Sequence, residues 1–411
     1  MLKNVLFLFS YKLLLDLSYI LVISKVWNYS GFGLHLNSMK LVESFFLLLL
    51  ILVTMPRSNE NLSHAMLWIL VLLSYIPMLS LFALKDESRV FMYAVTVFWI
   101  TISFFTQLLP RLSLQTLKEG NSIRFLLYIL LSAIVFLMIY NYLGLSVNFN
   151  LTKVYEIRER YSEAAIPFAG YLFHWLAYIV NPLFFSYFII RKRWYYVLII
   201  VSMQLLLFFS TGNKSFLFAL ILVLVLMKVI TRKNPIAWIM AGLIGILSFS
   251  MMSWWLIEDL WVSSLLVRRT LFIPAQLAFY YYDFFSHSQL ILLSDSIFRF
   301  FTDYPYHLNP AHLISEVYFN KPEMASNTGI VGNAYMNFGL WGMFFFGLIF
   351  IVILKLIDSS SNNRDVRIGV AAISMPTINL INSGLLTTLL THGLLLAVVL
   401  LYLFPSQKQD A

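Results

Sequence analysis

Long apolar runs alternate with short polar breaks along the whole chain. Examples are "SFFLLLLILV" (44–53), "FLLYILLSAIVFLMIY" (125–140) and "FLFALILVLVLM" (216–227). A bilayer core of roughly 30 Å takes about 20 apolar residues as a helix. Hydropathy and helix breakers together predict spans near 4–24, 41–55, 64–84, 90–109, 123–143, 167–190, 195–210, 215–230, 236–255, 333–356, 367–384 and 387–404. The expected fold is all-α: a polytopic integral membrane protein of roughly 12 transmembrane helices, forming one domain over 1–411. The opening "MLKNVLFLFSYKLLLDLSYILVI" has a basic start and an apolar run but no small-residue cleavage site. It is expected to be a retained first span, not a signal peptide.

Composition sharpens this picture. Of 411 residues, 60% are hydrophobic, 17% aromatic and only 11% charged, where an average chain carries about 25% charged residues. No cysteine is present, so there is no disulfide frame, no thiolate nucleophile and no Cys-ligated metal. The formal charge of +9 is a matter of topology. Arg111, Lys118 and Arg124, the "RKR" at 191–193, Lys228, Arg232 and Lys233, and Arg364 and Arg367 fall on one side of a twelve-span arrangement. Such residues mark the cytoplasmic side, so both termini are expected inside. Most acids, among them Glu156, Glu159, Glu163, Asp283, Asp303 and Glu316, fall on the other side. Membrane lipids are therefore expected partners and nucleic acid is not.

Two segments break the rhythm of short connections, 144–166 and the larger 256–332, and both land on the outer face. Long loops in a compact protein are commonly functional or disordered. The second is rich in Tyr, Phe, His and Arg, so it is expected to fold, partly as helices lying on the membrane surface.

Four constellations could carry chemistry. The first is "LLVRRTLFIPAQLAFYYYDFFSHSQ" (265–289). On a helix Arg269, Gln276 and Asp283 share a face, and Pro274 predicts a kink or a new helix start. Two readings stand: an interfacial helix with arginines snorkelling to headgroups, or a cationic clamp beside aromatic platforms for sugar rings. The second is "STGNKSFLFA" (210–219), where Lys214 opens a span against the helix dipole and would be better placed facing an anion. The third is "EIRERYSE" (156–163), either a solvated helix held by ion pairs or a source of phosphate-binding Arg158 and Arg160 and of a proton-accepting glutamate. The fourth, 299–342, offers Arg299, Asp303, His307 and His312, then a Gly- and Asn-rich approach to a span. The two histidines are poorly spaced for one metal and no Asp-x-Asp pair occurs, so no metal and no cofactor is expected. No phosphate-binding loop, dinucleotide glycine motif, Gly-x-Ser-x-Gly or His-Glu-x-x-His is present.

The order "STGNKSFLFA", "RRTLFIPAQLAFYYYDFF", "NTGIVGNAYMNFGLWGMFFFGLIF" resembles the Wzy-type O-antigen polymerases, the oligosaccharide repeat-unit polymerases. These carry a Thr-Gly-x-Arg/Lys turn between spans, then Arg-x-x-x-x-Pro followed by aromatics, then Asn-Thr-Gly-x-x-Gly-Asp/Asn-Ala-Tyr leading into a span. The match covers roughly 210–345, with Arg269 before Pro274 and Asn327 to Tyr335 in the last pattern. Lys214 stands where many relatives have arginine, and Asn333 where aspartate is common. The resemblance implies a GT-C-like architecture in a bacterial inner membrane, with the active site facing the periplasm. It implies metal-independent transfer of a growing glycan from undecaprenyl pyrophosphate to the non-reducing end of a new lipid-linked repeat unit, in O-antigen (lipopolysaccharide) synthesis. A chain-length regulator would be a partner. The clamp candidates are then Arg269, Arg268, Lys214 and Arg299, with Arg158 and Arg160 closing over them. Glu156, Glu159, His307 and His312 are the candidate bases. Tyr281 and Tyr282 would stack on sugars, with Gln276, Asp283, Asn327, Asn333 and Tyr335 also binding. Rival expectations are an O-antigen ligase acting on lipid A–core and a lipid-linked glycan flippase. The latter would place charges buried mid-span.

Overall fold

A computed structural model describes residues 2–57, 61–112, 114, 120–144 and 154–404. Lys118 and residues 145–153 of the first expected loop lie outside the described residues. Among the described residues the regular elements are helices, with no β-strand. That follows from the solvent: in hydrocarbon each backbone N–H and C=O must be satisfied within its own segment.

Among the described residues nine helices are long and apolar enough to cross a membrane: Lys3–Val26, Leu62–Leu84, Arg89–Leu108, Ser122–Leu143, Ala169–Ile190, Trp194–Thr211, Pro235–Ile257, Ile330–Ser361 and Leu385–Leu403. This is a polytopic helical membrane protein. The other three expected spans are the helices Ser38–Thr54, Lys214–Ile230 and Val366–Asn382, each of 17 residues. At 1.5 Å per residue such helices are about 25 Å long, a little short of the hydrocarbon thickness.

The chain divides into two compact units. The first comprises Met1–Pro110, Asn234–Leu354 and Leu380–Leu386; the second comprises Arg111–Lys233, Lys355–Asn379 and Thr387–Ala411. Each is built around one buried helix. In the first unit this is Leu62–Leu84, whose residues from Leu62 to Leu84 are almost all buried. Ser38–Thr54 packs along its second half, and Lys3–Val26 lies along Pro235–Ile257. In the second unit it is Ala169–Ile190, apolar all round as a buried helix must be. A polar seam pins it: Asn181 Nδ2 donates to Gln204 Oε1 at 2.7 Å, and Gln204 Nε2 donates to the carbonyls of Ala177 and Phe216 at 3.1 and 2.6 Å. Buried amides are tolerated there because partners meet them.

The segment between Pro235–Ile257 and Ile330–Ser361 belongs to the first unit and is folded. Residues Ser263–Phe272 wind as a π-helix, Ile273–Ser286 continues as an α-helix, and Pro310–Phe319 forms a third helix capped by Asn309, whose side chain accepts from the His312 N–H. Helix Ile330–Ser361 is broken at Phe338 and Gly339; Gly339 takes φ +61 and ψ −141, a conformation that favours a residue without a Cβ.

Candidate functional site

The stretch 263–286 starts as a wide π-turn, and Pro274 opens the α-helix after it. Proline has no N–H to donate, and the first turn of a helix needs none. Arg268 and Arg269 close the π-turn. The Arg268 guanidinium lies 4.8 Å from the ring centroid of Trp27. It is half-buried, and its Nε is buried without a hydrogen-bond partner among the described residues. Burial, with the charge of Arg269 adding to it, lowers this guanidinium below its ordinary value. Arg269 is exposed beside it. Neither arginine has a carboxylate partner among the described residues. Two adjacent guanidiniums without an acid leave an anion's place open.

The expected common face of Arg269, Gln276 and Asp283 does not form as one exposed surface. Gln276 is buried, donating to the Gly31 carbonyl at 2.8 Å and to the Tyr280 hydroxyl at 2.9 Å, so it fastens the helix to the turn at 28–31. Asp283 is exposed and accepts from the Tyr318 hydroxyl at 2.5 Å. Tyr318 stacks flat on Tyr280 at 4.2 Å. Burial, then this bond to Asp283, raises the Tyr318 phenol above its ordinary value. Tyr281, expected as a sugar platform, is a core residue whose hydroxyl donates to the Ser326 carbonyl at 3.0 Å. Tyr282 has one ring face covered by Phe91 at 4.5 Å and meets Tyr335 at 4.9 Å. Tyr335 is itself buried. The aromatic run thus builds mostly core, because a helix packed on several sides buries its large rings.

Further along, Arg299 is exposed and lies 5.3 Å from the ring centroid of Phe300. His307 pairs with Glu316 at 3.0 Å. The His312 Nδ1 lies 2.6 Å from the Pro322 carbonyl. A carbonyl only accepts, so Nδ1 is the donor here and Nε2 points the other way. Asn327 is exposed, while Asn333 packs its amide against Gly384 and accepts on its carbonyl from Asn337 at 2.8 Å.

The second unit brings two other expected pieces together. Helix Trp194–Thr211 ends on Gly212 at φ +66, and a Cβ there would meet the Val154 carbonyl and the Arg158 N–H. The helix Val154–Glu163, bearing Glu156, Arg158, Glu159 and Arg160 on exposed positions, is therefore seated on this turn. Lys214 follows as the first residue of helix Lys214–Ile230 and is exposed. Asn213 Oδ1 accepts from Ser215 Oγ at 2.7 Å, and Ser215 Oγ meets the Tyr178 hydroxyl at 2.6 Å.

No protein-family model, curated protein or solved structure matches the chain.

Two groupings escaped the sequence reading. In the second unit His174 lies 5.4 Å from His392 and 5.1 Å from Tyr178, ring centre to ring centre, with its Nδ1 2.7 Å from the Gly170 carbonyl. These residues are far apart in sequence and no spacing announces them. In the first unit Lys12 and Asp16 form a buried ion pair at 2.5 Å inside the span Lys3–Val26, with Lys12 also 5.0 Å from the Phe45 ring centroid. Here a signal existed: a Lys-x-x-x-Asp spacing within an apolar run. Among the described residues no group of three or more His, Asp or Glu is placed to hold a metal ion.

Proposed function

We propose that this chain is a membrane-embedded polymerase of lipid-linked oligosaccharide repeat units, joining glycans carried on a polyprenyl pyrophosphate. The observation that carries this reading is the Arg268–Arg269 pair: two adjacent guanidiniums in the folded segment between two spans, one half-buried on Trp27, neither with a carboxylate among the described residues. In the reaction the bond between the anomeric carbon and the pyrophosphate oxygen breaks as the acceptor hydroxyl oxygen bonds to that carbon. Negative charge gathers on the departing pyrophosphate, and fixed cations in a poorly hydrated setting stabilise it. The acceptor's proton needs a base. His307 is engaged by Glu316, whereas His312 has an oriented Nε2 with no partner among the described residues, so His312 is our choice in the first unit. The order of the Thr-Gly-Asn-Lys, Arg-x-x-x-x-Pro and Asn-Thr-Gly motifs supports the same reading, as does their resemblance to O-antigen polymerases. We assign the lipid-linked donor to the outer face of a bacterial inner membrane, with both termini cytoplasmic.

The test is a strain lacking this gene, complemented with variants and examined by polysaccharide gel. A polymerase deletion leaves single repeat units on the lipid core, a ligase deletion leaves none, and Arg268→Ala with Arg269→Ala should reproduce the deletion. One observation favours a second reading, a lipid-linked glycan transporter. The Lys12–Asp16 pair lies near the middle of a span, where ionisable groups mark translocation or proton paths. Loss of lipid-linked glycan at the outer leaflet in Asp16→Asn, with polymerisation of supplied glycan intact, would favour it.

A further inference from the structure

Residues 292–302 form a closed loop rooted on a membrane span. At its base the N–H groups of Ile291 and Leu292 donate to the carbonyls of Met336 and Asn337 at 3.1 and 3.2 Å, and the Leu293 N–H donates to Asn337 Oδ1 at 2.8 Å. Thr302 Oγ1 closes the loop by donating to the Leu292 carbonyl at 3.2 Å. Asn337 sits immediately before the break at Phe338 and Gly339. The tip reads Ile-Phe-Arg-Phe-Phe (297–301), and it is turned outward: Phe300 and Phe301 are each 83% exposed, and Ile297 and Phe298 are also exposed. An exposed apolar cluster of this kind needs a cover.

The span itself indicates the cover. Directly after the break, Leu340, Trp341, Phe344, Phe345, Leu348 and Val352 are exposed at three- and four-residue spacing, one apolar stripe down a transmembrane helix. Such a stripe faces lipid, and Trp341, 71% exposed at its first turn, is the side chain found at the level of the headgroups. The loop's root is thus placed at the membrane–water boundary, and its aromatic tip is exposed close to that level in the sequence and in the hydrogen bonding. Arg299 stands among these rings, with no acidic partner among the described residues. A long cationic side chain on an apolar tip reaches headgroup phosphate while its neighbours stay in the acyl boundary. Asp303 follows the tip and is exposed, as a group on the water side should be. We propose that the loop 292–302 is a lipid-docking wedge: Ile297, Phe298, Phe300 and Phe301 enter the bilayer interface and Arg299 binds a phospholipid phosphate there. This assigns Arg299 to lipid, apart from any pyrophosphate clamp, and it does not depend on the reaction proposed above.

The absence of cysteine makes the test direct. Phe300→Cys, Phe301→Cys and, as a control in the exposed turn after helix Pro310–Phe319, Glu323→Cys each give one spin-label site in the full chain. In phospholipid nanodiscs the labels at 300 and 301 should collide more with dissolved oxygen than with a water-soluble nickel chelate, and the label at 323 should do the reverse. Adding Arg299→Glu should shift the label at 301 toward water. Nickel-dominated collisions at 300 and 301 would overturn the proposal. So would shielding from both agents, which would mean that protein, such as a second copy, covers the tip. An unmoved label in Arg299→Glu would remove the phosphate contact.

Discussion

The first unit holds charge in two contrasting ways. Inside the span Lys3–Val26, Lys12 meets Asp16 at once: the pair is intrahelical, buried and 2.5 Å apart. In the segment between spans, Arg268 and Arg269 stand side by side with no acidic partner among the described residues, one leaning on Trp27 and the other exposed. Hydrocarbon does not tolerate a lone ion, so a charge there brings its partner with it. At the surface an uncompensated pair is tolerated because water and ligands complete it. The first arrangement is closed within the fold; the second is open to an anion from outside.

The largest effect is expected from breaking the closed pair on one side. Asp16→Leu leaves Lys12 buried without its counter-charge and should lower stability by about 3–5 kcal/mol, while the double change Lys12→Met with Asp16→Leu should recover most of it. Denaturation in detergent, followed by circular dichroism, measures both. Equal losses in single and double variants would mean that the pair holds no special electrostatic role.

Next comes the open pair. Arg268→Ala should remove long-chain polymer and cost about 1 kcal/mol through the lost Trp27 contact. Arg269→Ala should shorten polymer with a stability change within about 0.5 kcal/mol, as for an exposed side chain. Chain length on gels and thermal midpoints separate the two. A stability loss at Arg269 larger than at Arg268 would reverse their assigned roles.

These pairs also mark what the sequence could and could not announce. Among the described residues nine helices long and apolar enough to cross a membrane fall on expected spans, because continuous apolar runs leave few alternatives in a bilayer, while the last expected span, 387–404, is divided between Leu385–Leu390 and Leu394–Leu403. The start of a new helix at Pro274 and the turn at Gly212 were legible from single residues whose backbone chemistry is restrictive. The fate of the aromatic run was not. Tyr281 and Gln276 look outward in a linear reading, yet they are buried because Ser326 and Gly31, remote in sequence, come to meet them. The π-turn over Ser263–Phe272 likewise leaves no mark in residue spacing. The His174–His392 contact depends wholly on tertiary packing. The Lys12–Asp16 spacing was visible, but only burial on all sides gives it meaning.

The smallest expected effect is at Asp86, an exposed carboxylate in the same unit. Asp86 lies 2.6 Å from Lys40, and the bonds from Lys40 and then Asn37 hold its carboxyl below the usual carboxylate range. A depressed folded value means that this pair adds stability above the ordinary carboxylate range and loses it as pH falls through the folded one. Asp86→Asn should flatten that acid limb of stability slightly, leaving neutral-pH stability nearly unchanged, since the buried Lys40 keeps its bonds to the Asp86 and Glu87 carbonyls. A large drop at neutral pH would place Asp86 with the closed pair, not with the surface.

The most direct measurement reconstitutes the purified full chain in liposomes with polyprenyl-pyrophosphate-linked repeat units and resolves the products by size. The account predicts a ladder of polymer from the unaltered chain and single repeat units only from the Arg268→Ala, Arg269→Ala double variant, with both proteins folded. No polymer from the unaltered chain, or the same ladder from the double variant, would contradict it.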